Sequence, residues 1–225
     1  MRTHLDLWVQ GIHRITVFLM APPTSMDPHA NKPALRRLFD QKRKALSPEE
    51  QSQKAQQLLP WIHTLSAFTA ARHIAFYWPM GAEISPLPLL SAAEQEHKHC
   101  YLPCLQPGSN SLDFVAYQSQ DPLILNPFGF LEPVLQNNPC IALCDLDLIL
   151  IPLLAFDAQG QRLGRGAGYY DRTLATRPQG SCKPYLLGLG YACQSVDRLP
   201  ANPWDTPLEG VLTEEGLSTP INFTS

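Results

Sequence analysis

The chain has 225 residues, 44% of them hydrophobic and 16% charged, with a formal net charge of -3. That supports one large domain, or a domain with an appendage, and excludes the composition of a disordered chain. The slightly acidic balance provides no overall basic field for bulk nucleic-acid binding.

In residues 1–31 the apolar residues are interrupted by Asp6, His13 and Arg14. Neither a signal-peptide core nor a membrane span survives. An amphipathic appendage, a leader, or a start at Met20 or Met26 stay open, and this stretch is set apart as an N-terminal extension to a single domain over residues 32–225. Residues 32–46 predict a helix with an apolar stripe of Leu35, Leu38, Phe39 and Leu46 among basic residues. Ser47, Pro48 and Glu50 form a capping-box signature for a second helix to about Leu65, with Leu58, Leu59, Ile62 and Leu65 facing inward. Residues 73–79 are strand-like, residues 85–97 helical, and residues 99–105 and 111–117 strand-like again. Residues 128–133 read as a loop. The run at 146–152 predicts a strand buried on both faces. A helix begins around 168, a buried strand spans 184–191, and residues 209–215 end the sheet. Strands alternating with helices predict an α/β fold: a single domain with a mostly parallel sheet flanked by helices.

Six cysteines raise the question of zinc or disulfides. Cys100 and Cys104 fall four apart in a strand-like segment, where side chains of one face lie about 13 Å apart, too far to share an ion. If the Cys140 and Cys144 segment is helical, two ligands alone still make no site. Ordinary reduced thiols and the lack of a secretory signature predict a cytoplasmic protein.

A parallel sheet carries its site at the carboxyl ends of its strands. After Ile151 the sequence runs PLLAFDAQGQRLGRGAGYYDR. Gly164, Gly166 and Gly168 allow close backbone approach, successive N–H groups can cradle an anion, and a following helix adds its positive end. Arg162 and Arg165 supply planar, charged donors. The pattern predicts a phosphate guest, although it is neither a Walker A nor a dinucleotide motif. Asp171 has two readings: a helix-start charge, or a hard ligand for Mg²⁺ near phosphates.

The stretch IPLLAFDAQGQRLGRGAGYYDRTL resembles the signature of the 5-formyltetrahydrofolate cyclo-ligase (methenyltetrahydrofolate synthetase) family. Four further segments match in order: KPALR, FYWPMGAEIS, FGFLEP and QSVDRLPANPWD. The resemblance spans about residues 32–215. Leu153 departs from it, since the family often has glycine after the strand-ending proline.

The resemblance implies ATP-dependent cyclisation of 5-formyltetrahydrofolate to 5,10-methenyltetrahydrofolate, with ATP as co-substrate and Mg²⁺ as metal. It also implies site residues. Lys32 and Arg36, four apart on one helix face, resemble ATP contacts; without the resemblance they are a solvated basic helix. Arg162, Leu163, Gly164, Arg165, Gly166, Ala167, Gly168, Tyr169 and Tyr170 resemble the ATP loop. Arg165 through Tyr169, together with Arg36, also approach the folate, and Arg165 and Tyr169 are the implied catalytic pair. Asp171 and Asp205 resemble magnesium ligands, although Asp205 alone is a turn residue. Glu83 resembles the acid that accepts N–H donors of the pterin, and Trp78 a substrate-pocket position that serves equally as core. Neither nucleic acid nor membrane is an expected partner, and a monomer is expected over an oligomer.

Two rivals remain. One is another phosphate- or ATP-binding enzyme on the same fold, which the glycine loop does not exclude. The other is a nucleic-acid-binding protein using RRLFDQKRK, a short basic run without an aromatic platform.

Overall fold

The structure is a computed structural model that describes residues 32–105, 108, 111–134, 138–177, 183–202 and 204–220. The extension at 1–31 lies outside the described residues. Helix α1 covers Lys32–Lys44. Its buried face is not the expected stripe: Phe39 and Arg43 are buried, whereas Leu38 is 47% exposed. The capping box forms, with Ser47 and Glu50 exchanging side-chain and backbone bonds at the start of α2, Pro48–Gln56. The second helix does not continue to Leu65. It breaks at Gln57, and α3 (Leu58–Ile62) and α4 (Ser66–Ala70) follow. Pro60 accounts for the break, because it has no N–H to offer the Gln56 carbonyl and its ring would strike it. Leu58, Ile62 and Leu65 are buried as expected, and Leu59 is half-buried.

Strand β1 is shorter than expected, His73–Ala75, with Phe76 and Tyr77 continuing buried beyond it. Then come α5 (Leu87–Gln95), β2 (His99–Leu105) and β3 (Leu112–Ala116). The segment expected as a loop instead closes a hairpin, β4 (Leu123–Leu125) with β5 (Leu131–Pro133). Strand β6 (Cys140–Ile141) precedes β7 (Leu148–Pro152), and a further hairpin, β8 (Ala155–Phe156) with β9 (Arg162–Leu163), leads into the glycine segment. Helix α6 (Tyr169–Leu174), β10 (Tyr185–Leu189), β11 (Gly210–Thr213) and β12 (Gly216–Ser218) complete the chain.

The main sheet has the order β12-β11-β10-β7-β1-β2-β3-β6. Strands β11, β10, β7, β1 and β2 are parallel, and β3, β6 and β12 are antiparallel additions at the edges. Residues 148–151 of β7 are wholly buried, as a strand covered on both faces requires. One face packs against Leu58, Ile62, Leu89 and Leu90 from α3 and α5; the other packs against Leu146, Leu174 and Leu208. A smaller cluster of Phe39, Leu154, Ala155, Leu163 and Leu199 fastens α1 to the β8–β9 hairpin.

From β1 the chain steps outward to β2, whereas from β7 it steps the other way to β10 and β11. The crevice between the carboxyl ends of β1 and β7 is therefore a topological switch point, where open α/β sheets bind ligands.

Candidate active site

Two loops meet at that crevice, the one after β1 carrying Glu83 and the one after β9 carrying the glycines. They enclose a cavity of about 390 Å³. Every residue singled out from the sequence lines it: Lys32, Arg36, Trp78, Glu83, Arg162 through Asp171, and Asp205. Residues not singled out share its wall, among them Met80, Phe130, Leu131, Asn202 and Trp204.

Arg36 projects from α1 and donates from Nε to the Gly164 carbonyl at 2.9 Å. The loop passes so close that a Cβ at Gly166, where φ is +108°, would lie 3.2 Å from the Arg36 guanidinium carbon. At Gly168, φ is +72° and a Cβ would meet Arg172 at 2.8 Å. The left-handed backbone at both positions favours glycine, whereas the neighbouring arginine side chains could give way. Helix α6 has only six residues, so the cationic character of the site comes from its arginines and lysine rather than from a long helix end.

The two acids proposed for metal binding are each paired with a cation. Lys32 Nζ lies 3.2 Å from Asp205 Oδ2, which also accepts the Asn202 N–H at 2.8 Å. Arg162 donates to Asp171 and to the Thr206 carbonyl, and its side chain is only 5% exposed. No group of three or more His, Cys, Asp or Glu suited to a metal occurs among the described residues. A hard cation held by one or two carboxylates, water and substrate phosphates needs no such group.

On the far side, Glu83 is buried. Its Oε1 accepts from Arg165 Nε at 2.8 Å and its Oε2 from the Met80 N–H at 3.0 Å. Burial, and then the negative charge of Glu83, push the Tyr170 hydroxyl well above the usual range, and the same causes act on Tyr77. Both tyrosines stay protonated, and the buried Tyr170 hydroxyl has no hydrogen-bond partner among the described residues. Tyr77 donates to the Ile84 carbonyl at 2.5 Å, which pins the loop that carries Glu83. Trp78 packs edge-on against Tyr117 at 6.0 Å and also faces the cavity, so it serves core and pocket together. Tyr169 meets Phe128 of the β4–β5 hairpin edge-on at 6.3 Å.

Other residues of the matched segments act on the backbone. Asp157 accepts the Gln159, Gln161 and Leu199 N–H groups and shapes the β8–β9 turn. Gln194 donates to the Leu153 and Leu154 carbonyls at 2.9 Å each and so fixes the exit from β7. Glu132 accepts from Leu105 N–H and Asn126. Leu153, the departure from the expected pattern, is buried and packs over Gly188 and Gly190, where a Cβ would come within 2.8 and 2.7 Å of it.

Residues 28–214 match the 5-formyltetrahydrofolate cyclo-ligase family profile. A 5-formyltetrahydrofolate cyclo-ligase of Escherichia coli K12 is 37% identical over 177 residues, covering 78% of this chain and 96% of the relative. One from Haemophilus influenzae is 38% identical over 168 residues, covering 74% of this chain and 89% of the relative. The NMR structure of Aquifex aeolicus 5,10-methenyltetrahydrofolate synthetase superposes with a TM-score of 0.72 at 31% identity, over 86% of this chain and 95% of that one. Profile, relatives and fold agree with the two-sided cavity at the switch point: the chain belongs to the 5-formyltetrahydrofolate cyclo-ligase family and is a ligase.

Proposed function

We propose that this enzyme converts 5-formyltetrahydrofolate and ATP to 5,10-methenyltetrahydrofolate, ADP and phosphate. The observation that carries the reading is one cavity with a cationic glycine loop on one side and a buried carboxylate, Glu83, on the other. The γ-phosphoryl group passes to the N5-formyl oxygen, which converts a poor leaving group into phosphate. N10 then adds to the formyl carbon and gives up its proton to solvent or to the departing phosphate, the bond from that carbon to the phosphorylated oxygen breaks, and phosphate leaves as the ring closes. Such a reaction needs positioning and charge neutralisation more than a protein nucleophile.

In this reading Lys32, Arg36 and the loop from Arg162 to Tyr170 hold ATP. Arg165 and Tyr169 face the reacting groups. Glu83 accepts N–H donors of the pterin, with Trp78 beside it. Asp171 and Asp205 would hold Mg²⁺, which neutralises phosphate charge when bound. Two hard oxygen donors on the nucleotide side of one cavity suit that ion. Arg162, buried against Asp171, orients this acid. The described cysteines are free thiols, in keeping with a reduced, cytoplasmic setting, and the enzyme is taken to act as a monomer. No helix among the described residues is long and apolar enough to cross a membrane.

The test is a coupled assay of ADP release run beside methenyl product absorbance. Both signals should require 5-formyltetrahydrofolate and rise together. ADP release at the same rate without the folate would reject the assignment and return the cavity to a different ATP-using enzyme.

A further inference from the structure

Glu83 has two arginines as partners, and they differ in kind. Arg165, on the glycine loop, has a side chain 48% exposed. It donates from Nε to Glu83 Oε1 at 2.8 Å and from Nη2 to the Met80 carbonyl at 3.0 Å. Arg43, on α1, is 1% exposed, and its Nη1 lies 3.9 Å from the same Oε1. Its Nη2 holds Asp40 at 2.9 Å, but its Nε and Nη1 are buried without a hydrogen bond. Buried polar groups are nearly always bonded, so two unused donors on one buried guanidinium call for a state that uses them.

Arg165 and a pterin edge would approach Glu83 from the same side. Arg165 lines the cavity and its head lies across Oε1, whereas Arg43 reaches that oxygen from the buried side, so replacing Arg165 by Arg43 opens the cavity face of the carboxylate while leaving it a cationic partner. Arg165 has the converse conflict, because a guanidinium neutralised by a carboxylate offers little charge to a phosphate.

We infer that Glu83 Oε1 is a contested acceptor: folate binding draws the carboxylate from Arg165, which is released to the γ-phosphate, while Arg43 closes on Oε1 and keeps Glu83 charged and in place. The inference rests on the proposed roles of Glu83 and the glycine loop. Arg43 is a positioning residue that touches neither ligand. The exchange makes phosphoryl transfer wait for the folate, since Arg165 reaches the nucleotide only after Glu83 has been claimed.

Binding measurements with a non-hydrolysable β,γ-imido ATP analogue and with ADP, each with and without 5-formyltetrahydrofolate, test the exchange. Folate should tighten the analogue about five- to tenfold, within the usual span of coupling between sites. ADP, which lacks the γ-phosphate, should be unaffected. Glu83→Gln should bind folate weakly, bind the analogue at the tightened level without folate, and hydrolyse ATP without folate faster than the unsubstituted enzyme. Arg43→Gln should raise the folate Kd about fivefold or more and shrink the coupling, while analogue affinity without folate stays put. Arg43→Lys should restore most of both. If both ligands bind and neither affects the other, the exchange is wrong while the functional reading stands. The exchange is equally wrong if Arg43→Gln weakens both ligands alike with a lowered melting temperature. Failure of the folate to bind at all overturns the functional reading and the exchange with it.

Discussion

Asp171 faces Arg162 from the first turn of a helix only six residues long. A dipole role alone would give it a few tenths of a kcal/mol. Its pairing with a side chain 5% exposed, on the wall of the cavity, points to more. Asp171→Asn should lower turnover about 10²–10³-fold, as loss of one electrostatic group in a site does. Folding stability should fall modestly, by about 1 kcal/mol, because Asn still offers Arg162 an oxygen. Raising Mg²⁺ should recover part of the rate. Near-normal turnover of the variant at low Mg²⁺ would leave Asp171 a partner of Arg162 and nothing more. The residues of the long signature were legible because glycines, arginines and an acid in fixed order have few other reasons to occur together. Arg43 was not. Nothing in the sequence singled it out, although its spacing from Arg36 and Phe39 puts it on the buried side of α1. Trp204, 69% exposed at the cavity rim, carries no local signal distinguishing it from a turn residue.

Strand and helix positions followed from periodicity wherever a run was long. The limits of β2 coincide with the expected 99–105, and the capping box at Ser47 forms as expected. The β8–β9 hairpin and strand β6 escaped because two-residue strands show no period, and β5 because its three residues follow a glycine turn. At the opposite end of the sheet from the cavity, Asp147 ties β1 and β10 together. It accepts the Arg72 and His73 N–H groups at 2.8 and 2.9 Å and the Lys183 ammonium at 2.5 Å. Burial alone would raise its pKa, but Lys183 and the two N–H groups prevail and hold it at about 2, below the ordinary 3.8. A depressed carboxyl stabilises the fold fully above its unfolded value and loses that contribution as pH falls through the folded one. The contribution is roughly 2 kcal/mol at neutral pH, fading between about pH 4 and pH 2. Asp147→Asn should therefore be less stable by about 1–2 kcal/mol in urea at pH 7, with the gap closing near pH 2. A gap independent of pH would mean that the linkage is steric rather than ionic.

The α/β class and the mostly parallel sheet were readable from alternation of elements. The antiparallel edges were not, because strand direction depends on long-range pairing that no local pattern encodes. The family match begins at residue 28, and the Escherichia coli relative is 96% covered by 78% of this chain. Residues 1–25 should accordingly be dispensable: a chain beginning at Met26 retains the whole matched region and should keep turnover within about twofold. A folded but inactive shortened enzyme would show that the extension completes the site.

The ion pair between Lys32 and Asp205 spans 173 positions in the chain. One rim of the cavity is thus made by the first turn of α1, the other by a turn near the end of the matched region. During synthesis that rim cannot close until Asp205 has left the ribosome, and a sheet of crossover-linked parallel strands is slow to pair. If ATP binds there as proposed, it has no completed site on any earlier intermediate. Nucleotide should therefore lengthen the life of the finished fold by slowing unfolding, while refolding proceeds at the same rate with or without it.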